Sequence, residues 1–243
     1  MIFLRYSETL IEANCYILSD ETARKALVVD PGAGSAAWVR RTLEDRELEL
    51  AAVLCTHGHA DHVWDAGVVA GDDVVVYLPE PDLYRLENPA IYTAVFTQFF
   101  VSYSGHEWMA PARSEALPQE FYKEGGAEIV PGIRIRAIPA PGHSEGSSVF
   151  LLEGQITQDP EAVRLPEGSF GTELMLTGDV LFRDGVGRTD LPGSDPAAAQ
   201  ISLRNLAQTI APARVFFPGH GGPSTMGREL RHSPYLREAV NSQ

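Results

Sequence analysis

Cysteine is scarce in this chain of 243 residues, which contains only Cys15 and Cys55. Two cysteines that form no CxxC motif supply neither a disulfide framework nor a thiolate metal site. The sequence also lacks the run of about 18 apolar residues that a membrane-spanning helix requires. Its first residues lack the basic-then-apolar order of a signal peptide. We therefore expect a cytoplasmic protein that does not bind a membrane.

Basic residues are also few, because 19 Lys and Arg stand against 33 Asp and Glu, for a formal net charge of -14. Such an excess of acid opposes binding that depends on neutralising nucleic-acid phosphates. The imbalance is uneven: residues 1–175 carry 12 bases and 27 acids, whereas residues 176–243 carry 7 and 6. We expect no nucleic-acid partner, although an anionic substrate can still be bound by the C-terminal third.

Short β-branched apolar runs recur along the chain and predict strands. Two helix-like stretches lie between them, one from Ser35 as a possible N-cap and one from Asp195, with Pro196 in the first turn. This alternation predicts an α/β fold, with residues 1–243 forming a single layered domain of two similar halves. The predicted strands are 27–30, 51–56, 73–78, 133–138, 147–152, 174–179 and 214–219.

Two segments fit this alternation poorly and are interpreted as insertions. Residues 84–124 are aromatic-rich and resemble a helical or looping insertion, whereas residues 154–172 form a long polar excursion. Long excursions beside a scaffold often form lids or substrate walls. A packing flap or a dimer contact is an equally good interpretation.

Histidine is rare, with seven in the chain, yet three lie in the motif Thr56-His57-Gly58-His59-Ala60-Asp61-His62 directly after a predicted strand. Imidazole and carboxylate are the ligands that borderline divalent ions such as zinc prefer when thiolates are absent. His57 and His59 can reach one ion from the same side. Asp61 and His62 begin the next helix and project elsewhere, so the motif favours two ions over one.

Three further turns place a ligand-type side chain just beyond a predicted strand: Pro141-Gly142-His143, Thr177-Gly178-Asp179 and Pro218-Gly219-His220. The carboxyl ends of strands are where α/β sheets build their sites. Buried imidazoles and carboxylates gathered without a metal would be costly, so these groups point to a metal site. His106 and His232 are interpreted as ordinary hydrogen-bonded or exposed imidazoles.

Taken in order, the motifs THGHADH, PGH, TGD and PGH resemble those of the metallo-β-lactamase superfamily over nearly the whole chain. The resemblance implies an αββα sandwich of two mixed β-sheets flanked by helices, with metal ions at one edge of the sheets. Further segments are similar to the small glyoxalase II-like hydrolases, namely residues 14–16, 30–32, 178–182, 187–192 and 218–221.

The same resemblance implies a ligand set for two divalent ions, with zinc favoured over iron or manganese. In the true β-lactamases a cysteine or serine usually stands in place of Asp179, so antibiotic hydrolysis is disfavoured. Asp30 either supports a ligand histidine or serves a turn. By position, the first ion would be bound by His57, His59 and His143, the second by Asp61, His62 and His220, and Asp179 would bridge them.

Two ions about 3.5 to 4 Å apart can present a metal-bound hydroxide to a carbonyl, with Asp61 and Asp179 as the catalytic carboxylates. A thiolate leaving group needs little proton assistance. We therefore expect a thioesterase, monomeric or homodimeric, that cleaves S-2-hydroxyacylglutathione-like or other small acyl thioesters.

The chain departs from the larger glyoxalase II enzymes, which grip glutathione with a C-terminal helical domain and a lysine-aromatic segment. Here Arg188-Thr189-Asp190 stands at that segment. Arg188 either binds a substrate carboxylate or pairs with Asp190 or Asp184.

Other functions remain open at this point. A persulfide dioxygenase would use one iron bound by the equivalents of His57, His143 and Asp179. An N-acyl homoserine lactonase would direct the same hydroxide at a ring ester. A nuclease is disfavoured by the net charge, and a non-catalytic metal-stabilised binding module would retain its ions without turnover.

Overall fold

The structure is a computed structural model, and it describes residues 1–20, 22–93, 95–154 and 173–241. The strands are β1 Ile2–Tyr6, β2 Cys15–Asp20, β3 Lys25–Val29, β4 Glu49–Leu54, β5 Val76–Leu78, β6 Ser114–Ala116, β7 Ala127–Glu128, β8 Arg134–Pro139, β9 Ser148–Glu153, β10 Glu173–Gly178, β11 Leu181–Phe182, β12 Gly185–Val186, β13 Val215–Pro218 and β14 Ser224–Thr225. The α-helices are α1 Ala36–Asp45, α2 Ala60–Val63, α3 Ala66–Ala70, α4 Thr97–Ser104, α5 Pro196–Thr209, α6 Met226–His232 and α7 Pro234–Asn241. Within the described ranges, four 3-10 helices span Leu10–Glu12, Glu80–Glu87, Pro89–Tyr92 and Gln119–Tyr122.

Two mixed six-stranded sheets form the centre of the fold. The first has the order β1-β2-β3-β4-β5-β6 and the second the order β14-β13-β10-β9-β8-β7. In the first sheet β1, β2 and β3 are antiparallel and β3 to β6 are parallel. In the second sheet only β10 and β13 pair in parallel. All seven predicted strands are present.

The core has three apolar layers, which explains why the strands read as nearly continuous apolar runs. One layer lies between the sheets and includes Leu27, Leu54, Phe150 and Phe217. A second contains Val39 of α1 together with residues of the first sheet, and a third contains apolar residues of the second sheet, α5, α6 and α7. The expected αββα sandwich of two mixed sheets is therefore confirmed.

The two predicted helix starts differ in how they are capped. At α5 the Asp195 carboxylate accepts hydrogen bonds from the backbone N–H groups of Ala197 (2.8 Å) and Ala198 (3.1 Å). Ser35 lies at the N-cap of α1, but its side chain accepts no capping hydrogen bond from the described residues. The buried Asp65 carboxylate accepts from Ala36 N at 2.8 Å instead, so a tertiary contact replaces the local cap.

The aromatic segment 84–124 contains α4 and also β6, which extends the first sheet beside β5. Its ring Phe100 stacks on Trp64 at a centroid distance of 4.8 Å, just after α2. The segment thus covers the helix that carries part of the histidine motif. Apart from Gly154, the predicted excursion 154–172 lies outside the described residues. Among the described helices, none is long and apolar enough to cross a membrane.

Candidate metal centre

Seven imidazole and carboxylate side chains meet at one edge of the sandwich, on segments that leave the carboxyl ends of four strands. The segment after β4 carries four of them, the turn between β8 and β9 carries His143, and the residues after β10 and β13 carry Asp179 and His220. All are buried except His220, whose side chain is 25% exposed. The structure thus brings every predicted metal ligand together.

Three imidazoles form the first group, defined as His57, His59 and His143. His59 Nδ1 lies 2.8 Å from His143 Nε2. The His57 ring centroid lies 4.8 Å from that of His59 and 4.9 Å from that of His143. Ring nitrogens that face one another at this distance require a shared proton or a cation between them.

Two carboxylates and two imidazoles form the second group, defined as Asp61, His62, Asp179 and His220. His62 Nε2 lies 3.4 Å from Asp61 Oδ2 and 3.3 Å from Asp179 Oδ1. His220 Nε2 lies 3.2 Å from Asp61 Oδ2 and 3.5 Å from Asp179 Oδ2. The same Asp179 Oδ2 lies 3.5 Å from His143 Nε2, so this carboxylate stands between the two groups.

Four ring nitrogens that face away from the centre lie near oxygen atoms, whereas the buried His59 Nε2 makes no hydrogen bond among the described residues. His143 Nδ1 donates to the carbonyl of Arg188 (2.8 Å), and His220 Nδ1 donates to that of Ile11 (3.2 Å). These hydrogen bonds fix the orientation of both rings and leave both Nε2 atoms directed at the centre. His62 Nδ1 lies 3.1 Å from Asp30 Oδ2, so Asp30 does support a histidine of the predicted site.

Asp30 also connects the two groups through Thr56. Its carboxylate accepts from the Thr56 backbone N–H and hydroxyl, both at 2.7 Å. The Thr56 hydroxyl in turn lies 3.0 Å from His57 Nδ1. Gly178 adopts a φ of +46°, and a Cβ there would lie 2.7 Å from Thr56 Cβ, so the TGD turn needs glycine to pack against this network.

The two groups have opposite electrostatics. Burial, reinforced by neighbouring histidines, keeps the pKa of His57 well below its ordinary value and lowers the pKa of His59 to about 3. Burial acts in the same direction on His220, but the carboxylates of Asp179 and Asp61 outweigh it and raise the pKa of His220 to about 10. His57 and His59 are therefore neutral at pH 7, whereas the second group is a set of paired charges.

The pKa values of the other members of the second group follow the same pairing. For His62, burial is outweighed by Asp179 and Asp61, which raise its pKa well above the ordinary value. For Asp61 and Asp179, burial alone would raise the pKa, but His62 and His220 lower it for both. Each charge in this group depends on its partners.

The donor atoms fit divalent metal ions. Among the described residues, His57 Nε2 is buried and makes no hydrogen bond, and His62 Nε2 and Asp179 Oδ1 face each other at 3.3 Å without hydrogen-bond geometry. Buried polar atoms without good partners are costly, and a metal ion bound here would supply the partner. Nitrogen and carboxylate oxygen donors suit zinc, iron and manganese alike.

The loop that carries His220 is fastened to the N-terminal half of the chain. Asn14 Nδ2 donates to the carbonyls of Pro218 and Gly221, both at 2.9 Å, and the Tyr16 hydroxyl donates to Pro218 O at 2.6 Å. Both residues flank the start of β2, in the first sheet. The centre thus lies at a seam between the two sheets and is completed by both.

The remaining predicted residues lie outside both groups. The exposed Arg188 guanidinium pairs with Asp190 through two hydrogen bonds of 2.6 and 2.8 Å, which matches one of the two expectations for this residue. His106 Nε2 lies 3.0 Å from Asp65 Oδ1, and His232 is exposed, as expected. Cys55 is buried in the apolar layer that contains Val39.

Sequence reasoning missed one residue of the site region, the fully buried Asp82. It lies in the 3-10 helix Glu80–Glu87 and is hydrogen-bonded to both segments that carry the first group. A single aspartate in a polar stretch carries no motif. The only local signal is its spacing of three residues from Arg85, which allows a pair on one face of a helical turn.

Comparison with known proteins agrees with the fold. The family model of the metallo-beta-lactamase superfamily matches residues 9–156, and this chain belongs to that superfamily of metal-dependent hydrolases. An uncharacterized protein of Mycobacterium tuberculosis is 31% identical, over 97% of this chain and 98% of its own length.

Two other relatives carry more informative names. The hydroxyacylglutathione hydrolase GloC of Haemophilus influenzae is 26% identical over 94% of each chain. A second relative is TTHA1623, which has a crystal structure in a di-iron-bound form. Its sequence is 29% identical and its structure superposes with a TM-score of 0.69, over 95% of this chain and 98% of that chain. Neither name assigns a substrate or a metal to the present protein.

Proposed function

We propose that this protein is a binuclear metallohydrolase that cleaves small acyl thioesters of the S-2-hydroxyacylglutathione type. The observation that carries the proposal is the place of Asp179, whose carboxylate lies within 3.5 Å of His143 from the first group and His220 from the second. A carboxylate shared by two complete donor sets favours two neighbouring ions. The name of the Haemophilus influenzae relative supports the thioester class.

Two divalent ions at these groups would supply Lewis acidity and an activated water. The described residues supply the rest of the chemistry. Asp61 Oδ2, 3.2 Å from His220 Nε2, is placed to accept a hydrogen bond from the attacking water and to orient it. A departing thiolate needs little proton assistance, so the reaction does not require a separate general acid.

A cavity of about 520 Å³ adjoins His143 and Asp179 and would receive part of the substrate. Its volume lies within the usual range for small-molecule pockets. The wall contains Val180, Val186 and Leu203, which would contact an aliphatic portion, and Arg188 lies at the same cavity. If a substrate carboxylate displaced Asp190 from Arg188, the planar guanidinium would bind that carboxylate in the same bidentate geometry.

The test combines metal analysis with substrate comparison on one preparation. Purified protein would be analysed for metal content and assayed with S-lactoylglutathione, an acyl-coenzyme A, an N-acyl homoserine lactone and, by oxygen uptake, glutathione persulfide. We expect two zinc ions per chain and hydrolysis of the glutathione thioester. Asp179→Asn should lose at least about 100-fold in rate, since Lewis-acid stabilisation contributes several kcal/mol.

The other functions predict different outcomes. One iron per chain with oxygen uptake and no thioester hydrolysis would replace the proposal with a persulfide dioxygenase. Preferential lactone cleavage would assign a lactonase. Two bound ions without turnover of any of the four substrates would leave a metal-stabilised binding module.

A further inference from the structure

We infer that Asp82 is a positioning residue that fixes the two loops of the first group relative to each other. This inference rests on the metal centre of the proposed function, but not on its substrate. Asp82 contacts none of the seven donor side chains among the described residues. It acts through the backbone on which His57, His59 and His143 stand.

The Asp82 carboxylate joins the two loops with hydrogen bonds from both. Oδ2 accepts from the backbone N–H of Gly58 at 2.8 Å, and Gly58 lies between His57 and His59. Oδ2 also accepts from the Ser144 hydroxyl at 2.7 Å, and Oδ1 accepts from the backbone N–H of Gly146 at 2.7 Å. Ser144 directly follows His143, so one carboxylate spans the loops of all three imidazoles.

Two glycines permit this close approach. A Cβ at Gly58 would lie 2.8 Å from Arg85 Cδ and 3.0 Å from the carbonyl oxygen of Asp82. A Cβ at Gly146 would lie 2.7 Å from Asp82 Cβ. The loops therefore have no side chain at the two points where they rest on the 3-10 helix Glu80–Glu87, and the same helix limits where both can lie.

Arg85 stabilises the carboxylate and extends the connection to a third loop. The side chains of Asp82 and Arg85 are fully buried, and Arg85 Nε lies 3.2 Å from Asp82 Oδ1. Arg85 Nη2 donates to Glu145 Oε2 and, at 3.1 Å, to the carbonyl of Pro192. A buried charge with this many partners holds one geometry, because breaking any of them leaves an unpaired group in the interior.

The physical consequence concerns the separation of the imidazoles. His59 and His143 come from loops 84 positions apart, yet their ring nitrogens lie 2.8 Å from each other. Without a common anchor, each loop would be free to relax away from the other when no ion is present. Asp82 holds the first group in binding geometry beforehand and so lowers the cost of metal capture.

The test is metal affinity of the full-length protein, measured by competition with a chromogenic chelator after complete metal removal. Asp82→Asn keeps the shape but removes one of the two acceptor oxygens. The first ion should then bind about 10- to 100-fold more weakly, whereas the second should change by less than about 3-fold. The cobalt absorption spectrum of Asp82→Asn should resemble that of His143→Ala and not that of His220→Ala.

Glu229→Gln is the matched control. Glu229 is also fully buried and accepts from a backbone N–H (Asp184, 2.9 Å), a hydroxyl (Ser224) and a guanidinium (Arg228, 2.6 Å), but it lies in α6 and touches no member of either group. This variant should lose thermal stability like Asp82→Asn and keep both metal affinities. Equal loss of metal in both variants would reduce Asp82 to a general structural role and overturn the inference.

If Asp82→Asn does not fold, Ser144→Ala provides a milder test, since it removes one hydrogen bond to Asp82 Oδ2 and should weaken the first ion by about 2- to 10-fold. If the folded variant, Asp82→Asn or Ser144→Ala, binds the first ion as tightly as the wild type, the inference is wrong. The proposed function is not affected by that result. If the wild-type protein binds two ions but cleaves no thioester, the proposed function is wrong. The role of Asp82 is then decided by the metal affinities alone.

Discussion

The two ligand groups of the centre differ in what satisfies them when no metal is bound. The first group contains only imidazoles and has no opposite charge within it, and burial keeps His57 and His59 neutral. In the second group, Asp61 and Asp179 neutralise His62 and His220. The same edge of the sandwich thus contains one group of imidazoles and one group of paired charges. We expect metal to bind the two groups with different dependence on pH and on the surrounding loops.

Complete chelation would remove bound metal from both groups, so we expect it to have the largest effect on activity. Activity should fall by at least about 1,000-fold, because both the activated water and the Lewis acid are lost. Re-addition of zinc or iron, one at a time, should restore it. Rates measured before and after dialysis against a chelator provide the check, and full activity in metal-free protein would contradict the whole assignment.

Removing one ligand from each group tests whether the groups are separate sites. His143→Ala and His220→Ala should each bind about one ion where the wild type binds two, with at least about a 100-fold loss of rate. His106→Ala is the control, since its ring contacts Asp65 outside both groups and its metal content should not change. Loss of both ions in either variant would show that the two groups act as a single cooperative site.

The difference in protonation predicts a difference in pH dependence. At pH 7 the raised pKa of His220, about 10, means that an ion entering the second group must displace protons, so affinity there should fall about 10- to 100-fold per pH unit on acidification. The pKa of His59, about 3, means that this imidazole of the first group is already deprotonated between pH 5 and 8, and the lowered pKa of His57 acts in the same direction. Calorimetric titration in buffers of different ionisation enthalpy should show proton release for one ion only. Equal proton release on binding of both ions would show that the two groups do not differ in protonation.

The smallest effect is expected for the side chain of Arg188. Its carbonyl oxygen orients His143, but its exposed guanidinium contacts only Asp190 among the described residues, and such surface pairs contribute little. Arg188→Ala should therefore leave both metal affinities within about 3-fold. A rise in KM at unchanged kcat would assign the guanidinium to substrate binding, whereas loss of the first ion would show that the side chain supports the centre.

That these seven side chains lie together could be predicted because each signal was local. His57, Asp179 and His220 follow apolar strands on short turns, and the carboxyl ends of neighbouring parallel strands meet at one edge of a sheet. Histidine is rare in this chain, and histidines and aspartates just after strands allow few interpretations other than a metal site. The predicted strand positions followed from apolar runs. They do not include β1 and β2, and β6, β7, β11, β12 and β14 have only two or three residues each, too few to form such a run.

The parts that could not be predicted depend on contacts between distant segments. Asp65 caps α1 in place of Ser35 because the fold brings α1 beside the end of α2, and no sequence spacing indicates this. Asp82 joins loops that are 62 and 64 positions from it at Ser144 and Gly146 and 24 positions from it at Gly58. One polar residue in a helical turn looks the same whether it faces solvent or an interior backbone.

The attachment of the His220 loop to β2 through Asn14 and Tyr16 has a consequence for how each newly made chain matures. A nascent chain that has emerged only as far as β9 contains all three imidazoles of the first group. It contains neither Asp179 nor the His220 loop, to which Asn14 and Tyr16 donate hydrogen bonds. In the proposed centre, the second group would therefore be complete only after the last third of the polypeptide has been synthesised and has docked on the first sheet. We expect a second ion to bind after the first during maturation.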